Sequence, residues 1–344
     1  KILRGEDCAI VEEVDATGSV VKNFENKEPI AGKGLKLTID SRLQGALENF
    51  TYSHLQKLQA DGIDARAAAI VALDPRNGAV RAMVSCPGYD PNLFVHGISN
   101  KDWNRISNDK AYPLNNKVIA GEYPPGSTFK IVTGAAAFEL KKVKIDEIIY
   151  DGGFHPEVPS MGNAGGEVLG WLDFRKALAM SDNVYFYELG YRVGIDNIGK
   201  YAKIFGFGKE TGIELPGEEA GILYEAKNMY RPDIATMSIG QGIAVTPLQV
   251  IRAICSIANG GELLKPYIVK KIMAPNGEVI HEGQKEVVRN SITPEIAEQM
   301  RKMMESVVAS GGGKTAGIKG YRIAGKTGTA EKLADGGGYA EGKY

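Results

Sequence analysis

The chain has 344 residues, 43% of them hydrophobic, and a formal net charge of −1. That length allows one large domain or two ordinary ones with a sizeable core. The near-neutral balance, with no long basic run, argues against a nucleic-acid partner. Cys8, Cys86 and Cys255 are widely spaced, which writes neither a disulfide framework nor a Cys-type zinc site. The four histidines, His54, His96, His155 and His281, include no His-Glu-x-x-His. A Ser-His-Asp site stays open on spacing, although none has a local signature. No apolar run reaches the ~18 residues that span a bilayer, and no signal peptide is present.

In chain order, Ser41–Leu58 has helical periodicity. Ala67–Leu73 and Ala79–Ser85 are short β-runs around Pro75-Arg76-Asn77-Gly78, a hairpin signal. Next come Tyr123-Pro124-Pro125-Gly126 and then the apolar, alanine-rich run from Phe129 to Leu140. Two prolines and a glycine stop what precedes, and the run favours helix. Ser127 therefore stands at a helix N-terminus, where free N–H groups and the dipole favour negative charge on its oxygen. Lys130, three residues on, falls on the same face. The helix is apolar almost all round, so it is buried. A lysine there is partly desolvated, which lowers its pKa and suits it to act as a base. Read alone, Ser-x-x-Lys is more often a capping serine and a snorkelling lysine.

Phe174–Met180 and Val184–Val193 are helical patterns on either side of Ser181-Asp182-Asn183. Ser181 and Asn183 share one cleft only if the helix breaks there, and Ser-Asp-Asn is good turn composition. The plain alternative is a cap before the next helix. Further helices are expected at Ile195–Phe205, Pro247–Asn259 and Pro294–Val308. Gly311-Gly312-Gly313 reads as a flexible connection. Tyr321–Ala330 reads as a strand. In it Thr327 and Thr329 alternate onto one face, and Gly328 lets another backbone approach. A peptide can pair along such an edge, with Lys326 near its carboxylate. A glycine-weakened edge strand with a solvated lysine is the other reading.

Ser127-Thr128-Phe129-Lys130, Ser181-Asp182-Asn183 and Lys326-Thr327-Gly328-Thr329, in this order, resemble the motif set of class A β-lactamases and penicillin-binding proteins. The resemblance extends to Leu35–Asp40 with Leu43-Gln44, Ala69–Pro75 with Asn77-Gly78, Tyr123–Lys130, and Gly240-Gln241-Gly242 with Thr246-Pro247. It runs from about Gly32 to the end. The chain is similar to class B penicillin-binding proteins, the monofunctional DD-transpeptidases that cross-link peptidoglycan. Val193–Asp196 and Thr211–Glu218 lean toward the elongation type over division or sporulation types.

This resemblance implies an α/β (α+β) transpeptidase fold, an antiparallel sheet flanked by helices, over residues 32–344. Residues 1–31 would be the tail of a pedestal whose membrane anchor is absent. It implies Ser127 as nucleophile, Lys130 as base, and Ser181 and Asn183 as the second motif. Lys326, Thr327, Gly328 and Thr329 would bind the substrate carboxylate, with the Ser127 and Thr329 N–H groups as oxyanion hole. The implied partners are stem peptides, β-lactam antibiotics and a membrane glycosyltransferase, on the outer side of a bacterial membrane; no cofactor is needed.

Two departures from the family stand out. The family continues past Lys-Thr-Gly into a hairpin and a closing helix, whereas this chain stops at Tyr344, just after the turn-like Ala334–Gly338, and is expected to be truncated there. Some elongation-type relatives carry a zinc site of Asp, His and Cys; Asp151 and His155 occur here without a Cys before Ser181, so no metal is expected. The alternatives are a serine β-lactamase and a non-catalytic β-lactam sensor or stem-peptide-binding module. No Glu-x-x-Leu-Asn run supports the class A β-lactamase, and Glu188-Leu189-Gly190-Tyr191 lacks the Asn.

Overall fold

The computed structural model describes residues 3–223 and 230–330, so the turn-like run Ala334–Gly338 lies outside the described residues. The chain opens with an exposed antiparallel hairpin, β1 (Ala9–Val14) and β2 (Val20–Lys27), closed at its base by a Glu6–Ile30 bridge. Next come β3 (Gly34–Leu37), α1 (Ser41–Ala60) and the hairpin β4 (Ala68–Leu73) with β5 (Val80–Cys86). The Asn77-Gly78 turn forms as its residue types require. Gly78 has φ +83°, and Asn77 Oδ1 accepts from the Ala79 N–H at 2.9 Å. Asp74, at the start of this turn, is held by Arg76 and Arg81.

A run of helices follows, ending in the one that carries Lys130. They are α2 (Asn100–Ser107), α3 (Lys117–Ala120), a 3-10 turn at Gly126–Phe129, and α4 (Lys130–Glu139). A strap of short strands intervenes: β6 (Ile149–Asp151), β7 (Phe154–His155), β8 (Val158–Gly162) and β9 (Gly170–Leu172). Then come α5 (Phe174–Met180), α6 (Asn183–Val193), α7 (Ile195–Ile204), α8 (Arg231–Ser238) and α9 (Pro247–Ala258). Strands β10 (Glu262–Leu264), β11 (Val269–Met273), β12 (Val279–Glu282) and β13 (Val287–Asn290) lead to α10 (Pro294–Ala309).

Among the described residues the sheets are small. β12, β11 and β3 form a three-stranded antiparallel sheet, and the other sheets have two strands each. A parallel bridge from Ala79 to Tyr267 and the bond from Val80 N–H to Tyr267 O join the β4–β5 hairpin to this group. The core lies around α4, which is buried from Lys130 to Phe138. Phe129, Phe174, Tyr185, Phe186, Met300 and Met304 enclose it, each a side chain whose full burial is worth roughly 1.5–3 kcal/mol. Thr133 Oγ1 ties α4 to α8 by donating to Ser238 O at 2.7 Å.

Two expectations fail. Tyr321–Ala330 is not a strand: no ladder forms along it among the described residues. Strand composition does not make a strand without a partner to accept its N–H groups. The segment is instead pinned to α10, where the Gly325 N–H donates to Met304 O at 3.2 Å. Gly311-Gly312-Gly313 is not a loose connection either. It packs on the end of α5, with Gly312 N–H donating to Ala179 O at 3.1 Å, and a Cβ at Gly311 would lie 2.2 Å from that same oxygen. The glycines are there for close approach.

Candidate active site

The three motifs meet at one cleft of about 660 Å³, lined by Ser127, Ser181, Asn183, Thr327 and Thr329. Ser127 sits in the 3-10 turn that leads into α4, half-buried and facing the cleft. The turn has this form because Pro125 has helical dihedral angles and Gly126 has φ +53°, a left-handed value costly for any side chain. A Cβ on Gly126 would also stand 2.4 Å from Thr329 O. The Lys-Thr-Gly segment therefore runs directly over the serine turn. Gly328 shows the same closeness from the other partner: its Cβ would meet Thr128 Cγ2 at 2.9 Å and Pro125 O at 3.2 Å.

Lys130 is wholly buried as the first residue of α4. Its Nζ donates to Ser181 O at 2.7 Å, Asn183 Oδ1 at 2.7 Å and Ser181 Oγ at 3.3 Å. The Phe186 ring centroid is 5.5 Å away. Burial first, then the Lys326 ammonium, hold the Lys130 pKa well below its ordinary value, against a smaller opposing pull from Asp182. Among the described residues Lys130 makes no hydrogen bond to Ser127; catalytic hydrogen bonds are often long before substrate binds.

The second motif is a true helix break. Ser181 caps α5 with φ +58° and ψ +36°, a left-handed conformation that a serine holds only under constraint from its surroundings. That single reversal turns both Ser181 O and Ser181 Oγ onto Lys130. Asp182 then caps α6, accepting from the Tyr185 N–H at 2.5 Å. Burial raises the Asp182 carboxyl, the Tyr185 N–H opposes this, and nearby Asp151 raises it further. Lys326 completes the cluster by donating to Ser181 Oγ at 2.8 Å and Thr327 O at 3.0 Å. Burial lowers its pKa to about 8, so the solvated-lysine reading fails.

Ser127, Lys130, Ser181, Asn183, Lys326, Thr327, Gly328 and Thr329 are thus brought to one place. Sequence reasoning missed the far wall, which the strap around β8 supplies through Ser160, Met161 and Asn163, together with Gln241. The signal present was the run Gly162-Asn163-Ala164-Gly165-Gly166, rich in turn residues. Glu188 stands away from the cleft lining. Its carboxylate is occupied by Arg192 at 2.7 Å and His155 at 3.2 Å. Asp151 accepts from Gly153 N–H, Asn163 Nδ2 and Leu169 N–H.

A serine at a helix start, a buried lysine bonded to no carboxylate and a second lysine sharing one hydroxyl thus lie together. The family model of the penicillin binding protein transpeptidase domain matches residues 68–344, and the chain belongs to that family. Stage V sporulation protein D of Bacillus subtilis is 36% identical over 342 residues, covering 97% of this chain and 50% of the relative. Peptidoglycan D,D-transpeptidase MrdA of Haemophilus influenzae is 34% identical, covering 96% of this chain and 51% of the relative. The chain spans about half the length of these curated relatives. Among solved structures, the imipenem acyl-enzyme complex of penicillin-binding protein A from M. tuberculosis matches with a TM-score of 0.78 at 30% identity. It covers 88% of this chain and 69% of that one. Pseudomonas aeruginosa PBP2 in complex with WCK 5153 matches with a TM-score of 0.74 at 32% identity, over 88% and 69%.

Proposed function

We propose that this chain is the catalytic part of a peptidoglycan D,D-transpeptidase that β-lactams acylate. The observation that carries the reading is Lys130: a buried ammonium with no carboxylate bonded to it, three residues after Ser127 and aimed at the second motif. Burying such a charge is costly, and the cost is intelligible where the neutral amine is the working form. In the proposed reaction Lys130 takes the Ser127 proton and Ser127 Oγ attacks the carbonyl of the penultimate D-Ala of a stem peptide. The new C–O bond gives a tetrahedral oxyanion, its collapse breaks the C–N bond, and the terminal D-Ala leaves with a proton relayed through Ser181. An amine of a neighbouring stem then attacks the acyl carbon, the ester bond to Ser127 Oγ breaks, and the amine's proton passes to that oxygen. The N–H groups of Ser127 and Thr329 would stabilise the oxyanion; one such donor is worth about 10²–10³ in rate. Lys326, Thr327 and Thr329 would hold the carboxylate, with Gly328 allowing the close approach.

Residues 32–344 are assigned to the transpeptidase domain and 1–31 to the tail of a pedestal, acting outside the cytoplasmic membrane beside a glycosyltransferase. Among the described residues no helix is long and apolar enough to cross a membrane. The elongation-type assignment draws on relatives named MrdA. The 36% identity to Stage V sporulation protein D supports the sporulation alternative. Val193–Asp196 and Thr211–Glu218 do not line the cleft. Thr211–Glu218 is a closed loop in which Glu218 accepts from the Thr211 and Gly212 N–H groups.

The test is a D-Ala-D-Ala donor peptide incubated with a stem peptide bearing a free amine. A cross-linked product with release of D-Ala is expected. Rapid hydrolysis of a β-lactam acyl-enzyme would instead show a β-lactamase, and stable acylation without transfer would show a sensor.

A further inference from the structure

The second motif is held from behind by a side chain outside all three motifs. Asn163 Oδ1 accepts from the Asn183 backbone N–H at 2.8 Å. Asn163 Nδ2 donates to Asp151 Oδ2 at 2.7 Å and to Glu167 O at 3.0 Å, with Asp182 Oδ2 at 3.4 Å. Asp151 is itself buried and fixed by the N–H groups of Gly153 at 2.7 Å and Leu169 at 2.8 Å. The neighbouring Gly162 O accepts from Asn183 Nδ2 at 3.1 Å.

These contacts decide which way the Asn183 amide points. A carbonyl oxygen can only accept, so the group facing Gly162 O is the NH₂; an ammonium can only donate, so the group facing Lys130 is the oxygen. The strap therefore fixes both the backbone and the amide of Asn183, leaving Oδ1 2.7 Å from Lys130 Nζ.

We propose that Asn163 is a positioning residue for the acylation reaction, a clamp between Asp151 and Asn183 that aims Asn183 Oδ1 at Lys130. The proposal rests on the reading of Lys130 as the base for Ser127. Its consequence is specific. Lys130 faces Ser181 O, Ser181 Oγ and Asn183 Oδ1 as acceptors, Lys326 as a like charge, Asp182 as an opposite charge, and the Phe186 ring. Releasing Asn183 removes an acceptor that favours the charged amine. The acid limb of the acylation rate, where Lys130 loses its proton, then moves to lower pH.

The experiment measures the second-order rate of acylation by a fluorescent penicillin from pH 5 to 10, with melting temperatures, for the wild type and three variants. Asn163→Ala removes the clamp. Asp151→Asn is isosteric and lessens the charge beside Asp182, but presents a donor or a weaker acceptor to Asn163. Val168→Ala alters an exposed side chain on the same strap. Asn163→Ala is expected to slow acylation at its optimum by on the order of 10²-fold, as a misplacement of about 1 Å does, and to shift the acid limb downward. Asp151→Asn slows acylation in the same way, and Val168→Ala matches the wild type.

Should Asn163→Ala fail to fold, Asn163→Ser, which keeps a smaller polar side chain there and leaves Asp151 unchanged, decides the matter by the same limb. A rate lowered by one factor at every pH, with the limb unmoved, overturns the proposal and leaves Asn163 a loop-folding residue. Variants within threefold of an acylating wild type overturn it too. A wild type that is not acylated overturns the functional reading itself, and the proposal with it.

Discussion

Lys326 Nζ donates to Ser181 Oγ at 2.8 Å, and Lys130 Nζ reaches the same hydroxyl at 3.3 Å. One hydroxyl thus links the lysines of the first and third motifs, which lie far apart in sequence. Two ammonium groups around one oxygen repel, and their burial adds to the cost. The arrangement favours loss of a proton from one of them, and Lys130, wholly buried, is the one whose charged form is penalised most. Ser181 is then placed to carry a proton between the cleft and either amine.

Replacing Lys130 tests this cost directly. Lys130→Met keeps the volume and removes the amine. Acylation by a β-lactam should fall by about 10²–10⁴-fold, the usual worth of a general base. Stability should hold or rise, because a buried charge exchanged for an apolar side chain is often neutral or favourable. The sign follows from the lowered pKa: the unfolded chain holds a proton at this lysine that the folded chain gives up, so the wild type loses stability as pH falls below the ordinary lysine value. The advantage of the variant in thermal melts should therefore narrow as pH rises toward 10.5. A variant that acylates within tenfold of the wild type would show that another group is the base.

Lys326 sets the alkaline side of the profile. Burial lowers its pKa to about 8, and only the ammonium form attracts a substrate carboxylate. Acylation by a carboxylate-bearing penicillin should weaken as pH passes about 8, through poorer binding with the maximal acylation rate less affected. A β-lactam ester without the free carboxylate should show a smaller loss. Saturation kinetics of the pair at pH 7 and pH 9.5 provide the check; equal losses for both compounds would exclude Lys326 as the carboxylate anchor.

The helices that carry the site were legible because their signals are local. Pro124-Pro125-Gly126 before an alanine-rich run gives a turn and then α4. Ser181-Asp182-Asn183 between two apolar periodicities gives the break that lets Ser181 and Asn183 reach Lys130. What depended on distant partners was not legible. Tyr321–Ala330 has the alternation of a strand but no ladder among the described residues, and nothing in its own composition discloses that. The roles of Gly311 and Gly312 depend on Ala179, which is remote in sequence. Asn163 works through Asp151 and Asn183, a relation no spacing rule encodes.

The contact between Gly328 and the serine turn gives a steric prediction. In Gly328→Ala the new methyl would press on Thr128 Cγ2 at 2.9 Å and on Pro125 O at 3.2 Å. The segment holding Thr327 and Thr329 must lift off the turn, which separates the proposed oxyanion donors. Acylation should slow by on the order of 10²-fold for a displacement of about 1 Å. The fold should lose little, because Gly328 is exposed and outside the core. Stopped-flow acylation rates beside thermal melts check both halves.

The central claim, that Ser127 is the nucleophile, is tested most directly by mass spectrometry after incubation with penicillin G. The expected result is a gain of one intact penicillin mass, because ring opening adds the drug without losing an atom. Tryptic mapping should place it on the peptide Val118–Lys130, and Ser127→Ala should abolish it. An adduct on any other peptide, or none on a protein that melts cooperatively, would contradict the account.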